Sequence, residues 1–400
     1  MVLGWLLSGN YRETWRRLRS NRSYWLWGGL FLLYAASYLY SEDKPQAQFE
    51  ITQKLSFVLL PILVGAGLDI TRRRFEQILL AFIGGITVVG LACMSRAGYV
   101  DLRTGSHEYW FYHQMVSGLD LNAVYMAWYV TFSISALLLF KWEYFFRERL
   151  AILKWIVIAL QFIFLILLSS RMLLVIFFVV TLPLYLTNQY HNVRLSKARL
   201  SMLLLGILLF IMGVAFTANP VRQRFSDVMH NDFHQSFLSD YHDDPQHFNN
   251  LTLRVFVWRV GVENLQAHNL WWKGAGIGDV HALQNRRIAD YGIRNMSDAD
   301  HPPPTLYNMN LHNTYLQTIL ALGIPGLLVF LCLVFSPFFF LSKSSDKRTW
   351  IIFHFAACAF MLQESIFQTQ AGIVFYAFFS VIFWQAVHKK RTEAALAPPA

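Results

Sequence analysis

The sequence predicts an all-α fold: a polytopic transmembrane bundle of about ten helices with one long loop on the non-cytoplasmic side. Three observations predict it. Of the 400 residues, 55% are hydrophobic and only 14% charged, whereas soluble domains carry roughly 25% charged side chains. The apolar excess is gathered into runs such as 202–218 and 326–341, too continuous for the one-sided stripe of a soluble amphipathic helix. Lys and Arg cluster on alternate sides of those runs, as they do in membrane proteins.

A hydrocarbon core about 30 Å thick asks for roughly 17–25 apolar residues per helix. Segments 24–40, 55–70, 78–94, 122–140, 155–170, 172–187, 202–218, 312–341, 350–366 and 371–387 meet or approach this length. Trp25, Trp27, Trp142, Trp155, Trp350 and Trp384 stand at segment ends, the placement of interfacial belts. The chain then divides into an N-terminal transmembrane region of seven helices (1–218), a loop with short helices (219–311), and a C-terminal region of three helices with a tail (312–400). Residues 1–7 are apolar but too short to span and lack the order of a signal peptide. They read as an interfacial tail or the remnant of an upstream hydrophobic segment. Cys93, Cys332 and Cys358 lie within apolar runs; buried free thiols are expected, uninformative about redox compartment.

The net charge of +10 would suit a polyanion binder, but topology accounts for it without nucleic acid. With Arg12, Arg16, Arg17, Arg19 and Arg22 in the cytoplasm, alternation brings in Arg72–Arg74, then Lys141, Arg147, Arg149 and Lys154. Arg194, Lys197, Arg199, Lys343, Lys347, Arg348 and Lys389–Arg391 follow on that side, for 21 of the 34 basic residues. The short outer segments hold five: Lys44, Lys54, Arg96, Arg103 and Arg171. Both termini are therefore expected in the cytoplasm, with 219–311 facing outward. A cysteine introduced at Ser345 should resist a membrane-impermeant thiol reagent applied to intact cells; its labelling from outside would overturn this topology.

Candidate chemistry gathers at the outer face. Ser169-Ser170-Arg171 forms a tight turn between two apolar helices. Arg171 there is either a snorkelling cation satisfied by local carbonyls or an anion site facing a water-filled cavity. Arg222 and Arg224 follow the seventh segment. Apolar residues at Leu253, Val257, Val260 or Gly261, and Leu265 predict a helix over 250–267 that carries Arg254 and Arg259, five apart and so on different faces. Arg171, Arg222 and Arg254 could converge; guanidinium forks suit a pyrophosphate.

His312 stands where the polar loop enters a helix, as either a helix cap or a general base poised near neutral pH. A helix start there aims backbone N–H groups at a bound anion. Gly323 and Pro325 should split that segment into a short outer helix and a spanning part. Glu364, placed late in the ninth segment, either forms a structural salt bridge or orients His312. Asp279, after Gly274-x-Gly-x-Gly, caps a turn; with no strand before it the glycine pattern is no nucleotide fingerprint. His230, His234, His242 and His247 with Asp240, Asp243 and Asp244 match no zinc spacing, so a solvated loop is expected and no metal.

At these residues the chain resembles the O-antigen ligase family, within the group that also holds O-antigen polymerases. The resemblance covers about residues 24–387. It is carried by Ser170-Arg171, Arg254 with Trp258, Gly274 through Asp279, and His312-Asn313-x-x-Leu316 with Gly323. The family generally has about twelve helices, so two further ones are expected upstream or never present. The resemblance implies a lipid-donor (GT-C-like) glycosyltransferase architecture and a transfer needing neither metal nor cofactor. The donor would be an undecaprenyl-pyrophosphate-linked glycan and the acceptor lipid A–core, or a second glycan in a polymerase. Arg171 and Arg254, with Arg222, would hold the pyrophosphate, and His312 would be the base; Ser170, Asn313 and Glu364 would support them.

A transporter of an anion or lipid-linked sugar is the reading from another class. Transporters tend to show inverted repeats and broken helices at midplane. No repeat is visible here, and the polar residues cluster at one membrane face, which favours an enzyme.

Overall fold

The computed structural model describes residues 5, 9, 11–119, 121–146, 150–193, 233–241, 248, 250–293, 307–339 and 346–396. Among them every regular element is helical. The expected segment 202–218 lies outside the described residues. The helices are α1 (Tyr11–Ser20), α2 (Arg22–Ser37), α3 (Lys44–Lys54), α4 (Ser56–Leu60), α5 (Arg72–Thr104), α6 (Tyr112–Val116), α7 (Ala123–Leu139) and α8 (Ala151–Leu167). After these come α9 (Arg171–Ile176), α10 (Leu182–Val193), α11 (Asn250–Ala267), α12 (Val280–Asp290), α13 (Thr314–Phe339), α14 (Lys347–Met361) and α15 (Gln370–Leu396).

Three stretches among the described residues are long and apolar enough to cross a membrane: Lys44–Ala66, Arg72–Thr104 and Thr314–Phe339. A fourth joins them if the bent pair Tyr112–Leu119 and Ala123–Leu139 counts as one span. Ala151–Leu167, Arg171–Thr187 and Gln370–Gln385 are apolar but shorter.

The chain forms two compact units. The first combines Met1–Ile70, Asn231–Ser342 and Ala357–Ala400. Its core is an aromatic chain from α2, α4, α13 and α15: Trp27 lies 5.3 Å from Phe57 and 5.8 Å from Tyr376 between ring centroids, and Phe57 lies 4.8 Å from Phe367. Phe367 in turn meets Phe330 at 5.6 Å. Such pairs add about 0.5–1.5 kcal/mol each beyond their buried area. Trp27, Trp350 and Trp384 are buried in the protein, which corrects the belt expectation for them; Trp25 and Trp155 are half exposed. Only Cys93 of the three thiols is buried; Cys332 is exposed.

The apolar run expected at 55–70 begins earlier. Asp43 caps α3 by accepting the Gln46 N–H at 2.9 Å, with Lys44-Pro45 opening the helix. Helical structure then continues through α4 and a π turn, Pro61–Ala66. α13 is broken where Gly323 and Pro325 predicted, with Gly323 at φ 67°, ψ −169°. The break leaves carbonyls that the glycine loop uses. Ala275 N–H donates to Leu320 O at 2.8 Å, Gly276 N–H to Ala321 O at 3.1 Å, and Ile324 N–H to Trp271 O at 2.7 Å. A Cβ on Gly274 would stand 2.4 Å from Ala321 O, and one on Gly323 2.4 Å from Trp272 O; only glycine lets the two backbones meet. Asp279 does cap a turn, though a distant one: its carboxylate accepts the N–H of Glu42 at 2.8 Å and of Asp43 at 2.8 Å.

The second unit combines Thr71–His230 and Lys343–Ala356. α5 starts on the Thr71 cap and ends at Gly105, φ 68°, a left-handed C-terminal stop. Phe132 of α7 packs against Phe82 at 5.6 Å and Phe353 at 4.9 Å. Arg72 pairs with Asp346 and Glu76, and Glu76 accepts the N–H of Glu143 at 2.7 Å and of Tyr144 at 3.0 Å. Between α8 and α9 the expected tight turn is present, with Ser169 at φ 51°.

Candidate active site

The site grows from the start of α13. Asn313 caps this helix: its Oδ1 accepts the Leu316 N–H at 3.0 Å and its carbonyl the Gln317 N–H at 2.9 Å. The capping role weighed for His312 thus belongs to its neighbour, which consumes helix donors that an anion was expected to meet. His312 itself sits at φ 45°, a left-handed conformation uncommon outside glycine that costs on the order of 1 kcal/mol. Its N–H is held by Asn310 Oδ1 at 2.8 Å. Leu311 is clamped from both sides, donating to Gln317 Oε1 at 3.0 Å and accepting Trp258 Nε1–H at 2.8 Å. Its side chain fills the space over Gly261, where a Cβ would come within 2.9 Å. The clamp fixes where the His312 ring projects.

α11 is the loop helix that spacing predicted, with Val257, Val260, Gly261 and Leu265 buried. From it Arg254 reaches the turn after α14. Nε donates to Gln363 O at 3.2 Å, Nη1 to Asn250 O at 2.9 Å, and Nη2 to Glu364 Oε1 at 2.9 Å. Glu364 lies beyond the end of α14 at Met361, which corrects its placement inside a spanning segment. The turn is stitched to α13: Thr314 Oγ1 donates to Glu364 O at 2.7 Å and accepts Ile366 N–H at 3.0 Å, while Ser365 Oγ accepts Asn313 N–H at 3.1 Å.

One carboxylate therefore has two partners, because its other oxygen, Oε2, faces His312 Nδ1 at 3.1 Å. The two readings of Glu364, salt bridge and histidine partner, describe one arrangement. An ionised carboxylate only accepts, so Nδ1 carries the hydrogen in this contact. Burial works against the Glu364 charge, yet the contacts with His312 and Arg254 outweigh it and hold the carboxyl below its ordinary range. Glu364 is only 6% exposed, against 22% for His312 and 19% for Arg254.

Arg259 turns elsewhere, as its spacing required. It pairs with Glu263 at 2.8 Å and donates to Tyr291 Oη at 2.7 Å. Glu263 also receives Arg287 at 2.9 Å and the Tyr291 hydroxyl at 2.5 Å. Burial disfavours the Glu263 charge, but those three donors win and keep its carboxyl low. Arg171 and Ser170 belong to the second unit, where buried Ser170 stands just before α9 without a side-chain cap bond. Arg222 and Arg224 lie outside the described residues, as do His230, His242, His247, Asp243 and Asp244.

Arg254→Lys is expected to lose most activity although it keeps the charge. An ammonium cannot reach Gln363 O, Asn250 O and Glu364 together. Near-normal turnover and donor affinity in that variant would show that bulk positive charge suffices.

The described residues thus combine apolar helices long enough to cross a membrane with a buried carboxylate shared by a histidine and an arginine. Residues 155–331, a little under half of the chain, match the family model described as O-Antigen ligase. The matched stretch contains Ser170-Arg171, Arg254, Gly274 through Asp279, His312 and Gly323, and ends before Glu364. No curated protein matches the chain.

Proposed function

We propose that this protein moves a glycan from a polyprenyl-pyrophosphate donor onto an acceptor hydroxyl at the periplasmic face of the membrane. The observation that carries the reading is the Glu364 carboxylate shared between His312 Nδ1, at 3.1 Å, and Arg254 Nη2, at 2.9 Å. With Nδ1–H directed at the carboxylate, Nε2 of His312 takes the proton of the acceptor hydroxyl. The oxygen attacks the anomeric carbon from the face opposite the pyrophosphate. The new C–O bond forms as the bond to the pyrophosphate breaks, and the electron pair leaves with the lipid pyrophosphate, inverting the anomeric centre. Glu364 stabilises the imidazolium. Arg254 helps neutralise the leaving charge, in place of a divalent ion.

Lipid A–core as acceptor makes the enzyme a ligase; the end of a second lipid-linked glycan makes it a polymerase. The test is reconstitution of the purified chain with a polyprenyl-pyrophosphate glycan and each acceptor in turn, with and without EDTA. Transfer to either acceptor that survives chelation is expected. Donor movement across the bilayer with no new glycosidic bond would overturn the proposal in favour of a transporter.

A further inference from the structure

The turn that carries Glu364 is fastened again at its far end, by groups no sequence pattern connected to it. Lys54, fully buried, donates to Glu50 Oε2 at 2.6 Å, and Glu50 is itself only 4% exposed. The Lys54 ammonium also lies 5.1 Å from the centre of the Tyr34 ring. One turn apart on α3, the two residues neutralise each other. Breaking such a pair leaves an uncompensated interior charge, which is strongly destabilising. The carboxylate has further donors: Gln46 Nε2 reaches Oε1 at 3.4 Å. The Gln368 amide, with its nitrogen toward the carboxylate, donates to both Glu50 oxygens at 2.9 Å.

Gln368 is four residues after Glu364 on the same short connection. Between them Ile366 and Phe367 are buried, and Phe367 is wedged against Phe57, Phe330 and Tyr376. Just beyond, Gln370 Nε2 donates to Gln53 O at 3.0 Å. Residues 363–365 are therefore tied to α11 and α13, and residues 367–370 to α3 and α4. The Glu50 contact is a charge-assisted tie on the α3 side, and such bonds are about twice as strong as neutral ones.

We infer that Glu50, neutralised by Lys54, is a positioning residue for the reaction: through Gln368 it sets the turn that holds Glu364 against His312. The inference rests on His312 acting as the base. A buried ion pair is a stiff anchor because neither partner has water to turn to. Small displacements of a catalytic group are costly, since about 1 Å can remove 10²-fold in rate.

The test compares Gln368→Met with the neutral double variant Glu50→Gln/Lys54→Met, both in the full chain reconstituted with the lipid-pyrophosphate glycan and its acceptor. Gln368→Met removes the amide donors and leaves the ion pair, so the chain should fold. It should lower kcat about 10–100-fold, as loss of a supporting partner commonly does, with the donor KM unchanged. Gln368→Glu, which sets a like charge beside Glu50, should be worse, and Gln368→Asn should recover part of the rate. On a Glu364→Gln background, Gln368→Met should cost almost nothing further, because both act through the same contact. A kcat within twofold of the parent for both Gln368→Met and the double variant would overturn the inference. So would a full additional loss on the Glu364→Gln background. If His312→Ala retains transfer, the base reading itself fails; if His312→Ala is inactive while Gln368→Met is normal, only this inference does.

Discussion

Replacing His312 with asparagine is expected to lower glycan transfer by about 10²–10⁴-fold, the usual loss for a general base, while the chain stays folded and binds donor. Asparagine is the informative substitution because His312 occupies φ 45°, a conformation asparagine tolerates better than most residues. Alanine at the same place keeps the left-handed strain that asparagine relieves, so His312→Ala should be equally inactive and slightly less heat-stable than His312→Asn. His312→Gln can still hydrogen-bond the acceptor but cannot take its proton, and should fail as well. Single-turnover transfer from the lipid-pyrophosphate glycan, with donor binding and thermal unfolding measured in parallel, separates these effects. Substantial transfer by His312→Asn and His312→Ala, or a rate lost to EDTA and restored by a divalent ion, would remove His312 from the role of base.

Glu364 should show the largest combined effect on stability and rate. In Glu364→Ala the Arg254 guanidinium keeps only the Gln363 and Asn250 carbonyls. Stranding one member of a buried pair costs about 3–5 kcal/mol, and His312 loses the acceptor that fixes its tautomer. Glu364→Gln keeps hydrogen-bonding shape without charge; it should fold, bind donor with near-normal KM, and turn over more slowly because the imidazolium is no longer countered. The sign of the pH dependence follows from the depressed carboxyl. Its folded value lies below the unfolded one, near ~4.3, so its contribution to stability is complete above that range. It is lost as pH falls through the folded value. Thermal unfolding from pH 6 down to pH 3 should therefore fall more steeply in the parent than in Glu364→Gln. Parallel curves for the two would show that Glu364 carries no such charge.

How much of this was legible in the sequence depends on the kind of signal. The all-helical, apolar character was, because apolar runs are visible in the order of residues; among the described residues three or four stretches reach spanning length. The loop helix at 250–267 and the break at Gly323 were also legible, from period and from glycine with proline. The tryptophans were misjudged because lipid-facing and protein-facing surfaces are equally apolar; nothing in the string separates Trp25 from Trp27. Lys54, counted as a solvent-side charge, is instead buried on Glu50. The i,i+4 spacing of the two was the available clue, but only packing shows whether such a pair is wet or dry. His312 and Arg254 stood out by type and position. The sharing of Glu364 between them needed the turn after α14, which runs past the end of the apolar pattern and beyond residue 331, where the family match stops.

The Asp279 contact has a consequence for how the chain is made. Glu42 and Asp43 open α3, yet the carboxylate that satisfies their N–H groups lies more than two hundred residues downstream. The glycine loop around 274 likewise waits for the carbonyls of 320 and 321. During synthesis the turn at 42–43 therefore lacks this partner until residue 279 has been made. The seam at 274 then closes only when 321 is in place. These closures within the first unit are thus late steps of synthesis. A chain stalled before about residue 320 would leave the glycine loop without its carbonyl partners.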